Sequence, residues 1–459
     1  MGAGRGCARR SAVHRAVGAS VLVLFAAAGA APGAWAGDGV ETGGGVEHLA
    51  NVPKQPGLDG EPQFNTDLAF SGDHAIGGNY DGFTVYDISQ PEDPQVVSTV
   101  VCPGGQGDVS VSGDLLYFSV DYPRAGEECG DAEAHASDAD AFEGVRIFDI
   151  SDKANPEYVT AVRTDCGSHT NTLVPGEDGT DYIFVSSYSP SEEFPNCRPP
   201  HDKISVIEVP TADPASAEVV NEPVLFPEGG HEETTGCHDI TAYPEKGIAA
   251  GACIGDGIIM DITDPVNPEV VERVQDENFA FWHSATFTDD ANNIVFTDEL
   301  GSGFAATCDE ETGPERGANA IYSLDDSGES PSLDFRSYFK LPRHQSETEN
   351  CVAHNGSLIP VPGGDFFVQA WYQGGVSIID LTNPDNPEEI GYFDRGPWDP
   401  DQLSTAGSWS AYYYNGHVYS SDIQQGLDVL RLTDERTQGA EEIVMDEFNP
   451  QSQPAHGQG

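Results

Sequence analysis

One short pattern recurs along the chain and leaves few folds open to it. It reads "GFTVYDISQPEDPQVV" from Gly82, "GVRIFDISDKANPEYV" from Gly144, "GIIMDITDPVNPEVV" from Gly257 and "GVSIIDLTNPDNPEEI" from Gly375. An apolar run before the Asp suits a strand, and Asp-x-Ser/Thr offers side-chain oxygens to turn amides. Asn-Pro or Asp-Pro then forces the chain extended into a second strand. Weaker copies begin at Ile204, Ala320 and Gly426, making seven. Before each copy lies another pair of alternating segments, such as "HDITAYPEKGIAAGAC" from His238 and "HSATFTDDANNIVFTDE" from His283. Seven units of four strands predict an all-β chain folded as a seven-bladed β-propeller, with loop insertions over one face.

With their leading glycines, these Asp-x-[Ser/Thr]-x-x-x-[Asn/Asp]-Pro cores resemble the LVIVD repeat family of secreted and surface bacterial propellers. The resemblance spans roughly Val46 to Thr433. It implies a propeller and an extracytoplasmic place, and it implies little about activity, because the family is defined by its repeat.

The ends of the chain read differently from the repeats. Residues 1–36 carry Arg5, Arg9, Arg10 and Arg15, an apolar run from Val17 to Ala31, and Ala34-Trp35-Ala36, a pattern expected of an export signal. Arg9-Arg10 also fits a twin-arginine signal, except that no bulky apolar pair follows it. The propeller is placed at 37–434. In the C-terminal segment, 435–459, the Gln-, Pro- and Gly-rich stretch from Asn449 reads as a disordered tail. "VEHLANVP" from Val46 is expected to close the ring beside Gly426 to Arg431, with "EEIVMDEF" from Glu441 as its rival.

Beyond the signal, 16 basic residues face 77 acidic ones, a formal charge of −61. Such a surface excludes nucleic acid as a partner, since phosphate binding needs clustered Lys and Arg. Later segments hold no apolar run of the ~18 residues a membrane span requires, so no transmembrane segment is expected and the product reads as secreted or cell-surface. Eight cysteines remain after Cys7, an even number that suits disulfides. Cys237 with Cys253 is expected across a hairpin and Cys308 with Cys351 next. Cys102, Cys129, Cys166 and Cys197 are left with three connectivities.

Aligning the first strands of the seven units puts Thr66, Gly107, His169, His238, His283, His354 and Trp409 at one position. The innermost strands of a propeller line its channel, so the four histidines converge at one mouth despite spacings of 69, 45 and 71 residues. Neutral imidazole is a common ligand of Fe, Cu and Zn, which makes His169, His238, His283 and His354 the candidate ligands of a transition metal ion. The set is similar in geometry to the four-histidine iron centre of carotenoid-cleaving oxygenases, also seven-bladed propellers, and more loosely to metal-bearing selenium-binding propellers. Asp239 is expected to turn away, capping a turn or pairing between blades. Asp298, Glu299, Glu347 and Glu349 are read as acidic surface, with orientation of the imidazoles as their alternative role.

Polar insertions carrying Cys129, Cys197 and Cys308 are expected to overhang the mouth, pinned by disulfides. The chain has no dinucleotide fingerprint, P-loop, H-E-x-x-H or G-x-S-x-G elbow. Two readings follow. One is an exported metalloprotein performing redox or oxygen chemistry on a small molecule; the other is a cell-envelope or extracellular propeller that binds a protein or glycan without catalysis.

Overall fold

In the computed structural model, residues 39–456 are described, apart from 61, 178 and 329. The export signal read at 1–36 lies outside them. Seven antiparallel sheets follow one another along the chain, each built around four strands, and together they form the predicted seven-bladed propeller. Their first strands are Asn65–Ser71, Val109–Ser112, Thr170–Pro175, Asp239–Tyr243, Trp282–Phe287, Gly356–Ile359 and Ser408–Tyr414.

The repeat works as its chemistry suggests. In the four strong copies Asp87, Asp149, Asp261 and Asp380 each accept a hydrogen bond from the amide two residues on, at 2.9, 2.8, 2.9 and 3.1 Å. Asp325, in a weak copy, does the same to Ser327 at 2.9 Å. These side chains replace a backbone acceptor at the tip of the third strand and turn the chain into the fourth.

Apolar residues of neighbouring blades interdigitate. One buried cluster joins Ile76, Phe83 and Val85 of blade 1 to Val111, Leu116 and Phe118 of blade 2, and another joins Phe184 and Val206 of blade 3 to Ile240, Ile258 and Met260 of blade 4. The core is therefore a ring of inter-blade layers, and each inner strand is held at a fixed angle around the channel.

The seam closes with Val46–Val52, which pairs antiparallel with Gly426–Leu432 as the fourth strand of blade 7. The rival segment takes another place. Glu447–Phe448 pairs with Phe70 and Ser71 on the inner edge of blade 1. Of the stretch from Asn449 expected as a disordered tail, residues 449–453 lie instead across the inner strands of successive blades. Asn449 bonds Val111 N and O at 2.7 and 2.8 Å, Gln451 O and Gln453 N bracket Ala242, and Gln453 Oε1 accepts from Phe287 N at 3.1 Å. The physical reason is that inner strands present unpaired backbone groups to the channel. Primary amides of Asn and Gln satisfy a donor and an acceptor at once.

Among the described residues there are four disulfides: Cys237–Cys253 across one hairpin and Cys308–Cys351, both as expected, with Cys102–Cys129 and Cys166–Cys197 resolving the open connectivity. Among the described residues, no helix is long and apolar enough to cross a membrane.

Candidate metal centre

The four aligned histidines form an arc at one end of the channel. Ring centroids lie 4.3 Å apart for His169 and His238, 4.0 Å for His238 and His283, and 4.3 Å for His283 and His354. Trp409, from the next blade, continues the arc with its ring 4.9 Å from His354. Blade 2 contributes no side chain here. Gly107 has a φ of +65°, and a Cβ there would stand 2.4 Å from Asn79 O.

Each imidazole is fixed through Nδ1. His169 Nδ1 lies 2.7 Å from Asp121 Oδ2, His238 Nδ1 lies 2.9 Å from Asp239 Oδ1, and His283 Nδ1 lies 3.5 Å from Thr297 Oγ1. The His354 Nδ1 hydrogen bonds to the carbonyl oxygen of Trp409. The Trp409 carbonyl can only accept, so the His354 proton sits on Nδ1 and its Nε2 lone pair is left free. His283 Nε2 is buried and has no hydrogen-bond partner among the described residues.

Asp239 therefore corrects the sequence reading. Strict alternation would turn it away from His238, but the strand begins only at Asp239. His238, just outside the strand, is free of that alternation, and the adjacent carboxylate reaches its ring. Glu299 also differs from an ordinary surface acid. It is 5 % exposed, accepts a hydrogen bond from the Tyr372 hydroxyl at 2.6 Å, and lies 3.6 Å from His354 Nε2 and 4.0 Å from His283 Nε2. Asp298 turns elsewhere, accepting from the amides of Ala280, Phe281 and Gly317. Glu349 caps Ser346, and Glu347 is exposed.

Among the described residues, ligand atoms close enough to share one ion fall into two overlapping triplets, His238–Asp239–His283 and His283–Glu299–His354, each within 4.8 Å. His283 belongs to both, while His169 stands at the end of the arc outside them. Burial holds the His238 and His283 imidazoles well below the usual histidine range, and brings His354 down to about 3. Burial also pushes the Glu299 carboxyl up to about 8, against the lowering effect of the Tyr372 hydroxyl. Without a bound cation the site is thus a set of neutral imidazoles beside a protonated carboxyl. A cation would favour the ionised carboxylate and retain the neutral imidazoles.

One residue further along the inner strands stand Asp67, Asp108, Thr170, Asp239, Ser284, Asn355 and Ser410, all buried. Oxygen-bearing side chains thus occupy the position after every residue of the upper ring. Burial pushes Asp67 up to about 6 and raises Asp108 and Asp239 further, with mutual repulsion adding to it.

A cavity of ≈ 90 Å³ touches His169, His238, Glu299 and His354 and is walled by Tyr80, Tyr188, Tyr372 and Trp409. That volume suits a few water molecules or a comparably small ligand. Outside it lies a vestibule of ≈ 330 Å³ bounded by the insertions of blades 2, 3 and 5, including Pro123, Ala136, Phe194, Cys197 and Phe304. The insertions do overhang the mouth. The aromatic walls were not legible beforehand, because Tyr80, Tyr188 and Tyr372 follow their second strands at positions the repeat does not mark.

No protein-family model matches this chain, and no curated protein matches it in sequence. Among solved structures it is similar to the Cps50 (Swd1) β-propeller domain of Myceliophteria thermophila, with a TM-score of 0.52 at 10% identity, covering 84% of this chain and 100% of that one. Hydrazine synthase of Kuenenia stuttgartiensis gives 0.50 at 13% identity, covering 80% and 94%. At such identities the likeness is one of fold, and the fold is a β-propeller. Buried His, Asp and Glu groups that could hold a metal ion stand at its channel mouth.

Proposed function

We propose that this chain is an exported propeller of the LVIVD repeat type that binds one transition metal ion through His169, His238, His283 and His354. Its small cavity would then serve a small-molecule ligand beside the ion. The observation that carries the reading is the shared orientation of the imidazoles: Nδ1 engaged on Asp121, Asp239, Thr297 and the Trp409 carbonyl, and His283 Nε2 buried without a partner. Metal-bound histidines carry such outer partners, which fix the tautomer and the direction of the lone pair.

A nitrogen-rich donor set suits Fe, Cu or Zn rather than Ca²⁺ or Mg²⁺, which prefer oxygen. Fe or Cu there would supply redox chemistry, and Zn would supply a Lewis acid. The chain's own residues position the ion, dry its surroundings with Tyr188, Phe281 and Trp409, and place Glu299 to hold or release a proton at the cavity wall. Four disulfides and the acidic surface support a secreted or cell-surface location.

Metal analysis of protein exported without chelators tests the reading. The native chain should carry one equivalent of a transition metal, and His238→Ala and His354→Ala should each lower it, while His74→Ala, at the start of the second strand of blade 1, should not. Full occupancy in both ring variants, or none in the native protein, would make the ring structural and leave a binding propeller without a catalytic metal.

A further inference from the structure

The vestibule above the arc has a chemistry of its own. Tyr80, Tyr122, Tyr188 and Phe194 wall it, and two carboxylates, Asp121 and Glu143, line it. Tyr80 and Tyr122 meet edge to face at 5.6 Å, so one ring's face is set against the other's rim. Burial pushes Tyr122 up to about 12 and Tyr80 and Tyr188 higher, which keeps all three phenols uncharged. Among the described residues, no Lys or Arg lines the space.

The two carboxylates differ in what they already do. Asp121 is spoken for on both oxygens, by Gln106 N and by His169 Nδ1, each at 2.7 Å. Glu143 is only partly exposed, and among the described residues no hydrogen bond or ion pair within 4 Å engages its carboxylate. Burial, with Asp121 adding repulsion and Arg163 opposing it, pushes the Glu143 carboxyl up to about 8. At pH 7 it therefore holds its proton until a bound cation favours the ionised form. The Arg163 guanidinium itself is turned to the carbonyls of Ala141 and Asp140. A carboxyl left without a hydrogen-bond partner at an aromatic wall is one that an arriving cation can ionise and pair with.

We propose that the vestibule binds a small organic cation, an amine or quaternary ammonium carried on an aromatic or alkyl body, with Glu143 as its counter-ion and Tyr80, Tyr122 and Tyr188 as its cage. Aromatic faces attract cations through the ring quadrupole, and more strongly where water is excluded. An anionic ligand finds no basic side chain among the lining residues and meets the two acidic side chains Asp121 and Glu143. The volume of ≈ 330 Å³ admits a body of about a single-ring aromatic amine, within the usual range for small-molecule sites. The cavity shares Tyr80, His169 and Tyr188 with the one beside the imidazoles. The proposal therefore rests on the mouth being a ligand site and names the class of molecule that reaches it; it does not require the metal. The disulfides Cys102–Cys129 and Cys166–Cys197 hold the overhanging insertions, so the cage is formed before the ligand arrives.

Three probes with one body and different charge test this: phenethylamine, 2-phenylethanol and phenylacetate, titrated calorimetrically into the full chain at pH 7. The amine should bind about tenfold more tightly than the alcohol, phenylacetate should not saturate, and added salt should weaken the amine. Glu143→Gln and Tyr122→Ala should each reduce amine affinity several-fold at unchanged metal content; Tyr122 is 54% exposed, so its removal spares the core. The same titration on His238→Ala protein separates this proposal from the metal. Amine binding that survives there upholds the vestibule whatever becomes of the ion. Amine binding lost in His238→Ala yet intact in Glu143→Gln would show the amine ligating the metal and overturn the proposal. Equal affinity for amine and alcohol, preference for phenylacetate, or no binding of any probe would overturn it as well.

Discussion

His169 and Asp121 meet across a blade boundary: Nδ1 of the first lies 2.7 Å from Oδ2 of the second. The histidine precedes the first strand of blade 3, and the aspartate lies in the long second strand of blade 2, Leu115–Arg124. Loss of the carboxylate would free the ring to rotate. Asp121→Ala should accordingly weaken metal binding by about 10- to 100-fold, the usual effect of removing a partner behind a ligating histidine. Competition with a chromophoric chelator measures it, and unchanged affinity would place His169 outside the coordination sphere.

The buried imidazoles make a pH prediction whose sign is fixed. His354 has its folded value depressed to about 3, so below the ~6.5 of an unfolded histidine the unfolded chain binds the extra proton and stability is lost as pH falls. From pH 6.5 to 5 this one group should cost the metal-free protein about 2 kcal/mol. Urea unfolding at both pH values checks it, by comparing native protein with His354→Phe. The acid loss should be smaller in the variant by about that amount, and an equal loss would show that His354 is not held neutral.

Asn449 replaces a strand at the edge of blade 2, pairing both backbone groups of Val111. Asn449→Ala should destabilise the chain by about 1–3 kcal/mol, the cost of a buried donor and acceptor left unpaired. Removing residues 449–459 should cost more than the single variant and speed amide exchange at Val111, Ala242 and Phe287. Exchange no faster than in the full chain would mean that the tail adds nothing to the propeller.

The Cys237–Cys253 bond spans 16 residues and ties the approach of one ring histidine to the end of the neighbouring strand. Replacing both by serine should lower stability by about 3 kcal/mol on a loop-closure basis, read as a shift of the urea midpoint. Metal occupancy should fall with it, because His238 stands next to Cys237. A variant of native stability that keeps its metal would show that the hairpin alone positions the ring.

The repeat alone determined the fold, because its period states how many strands form a unit, and units that cannot bury their faces alone must close on one another. The same alignment picked out the four histidines, since a residue fixed in the repeat is fixed in the ring. What remained hidden are relations the repeat does not encode. Asp121 reaches His169 from another blade, and Glu299 is brought to His283 and His354 by a strand end rather than by a motif. Tyr80, Tyr122, Tyr188 and Phe194 become a cage only when three blades bring their loops to one mouth. The tail shows the limit most directly. By composition it is a polar, Gln- and Pro-rich segment with nothing to bury, and residues 449–453 are held because the finished channel presents unpaired N–H and C=O groups that their side-chain amides match. Local pattern carries what each segment can do alone; only the closed ring supplies the partners that decide which of those capacities is used.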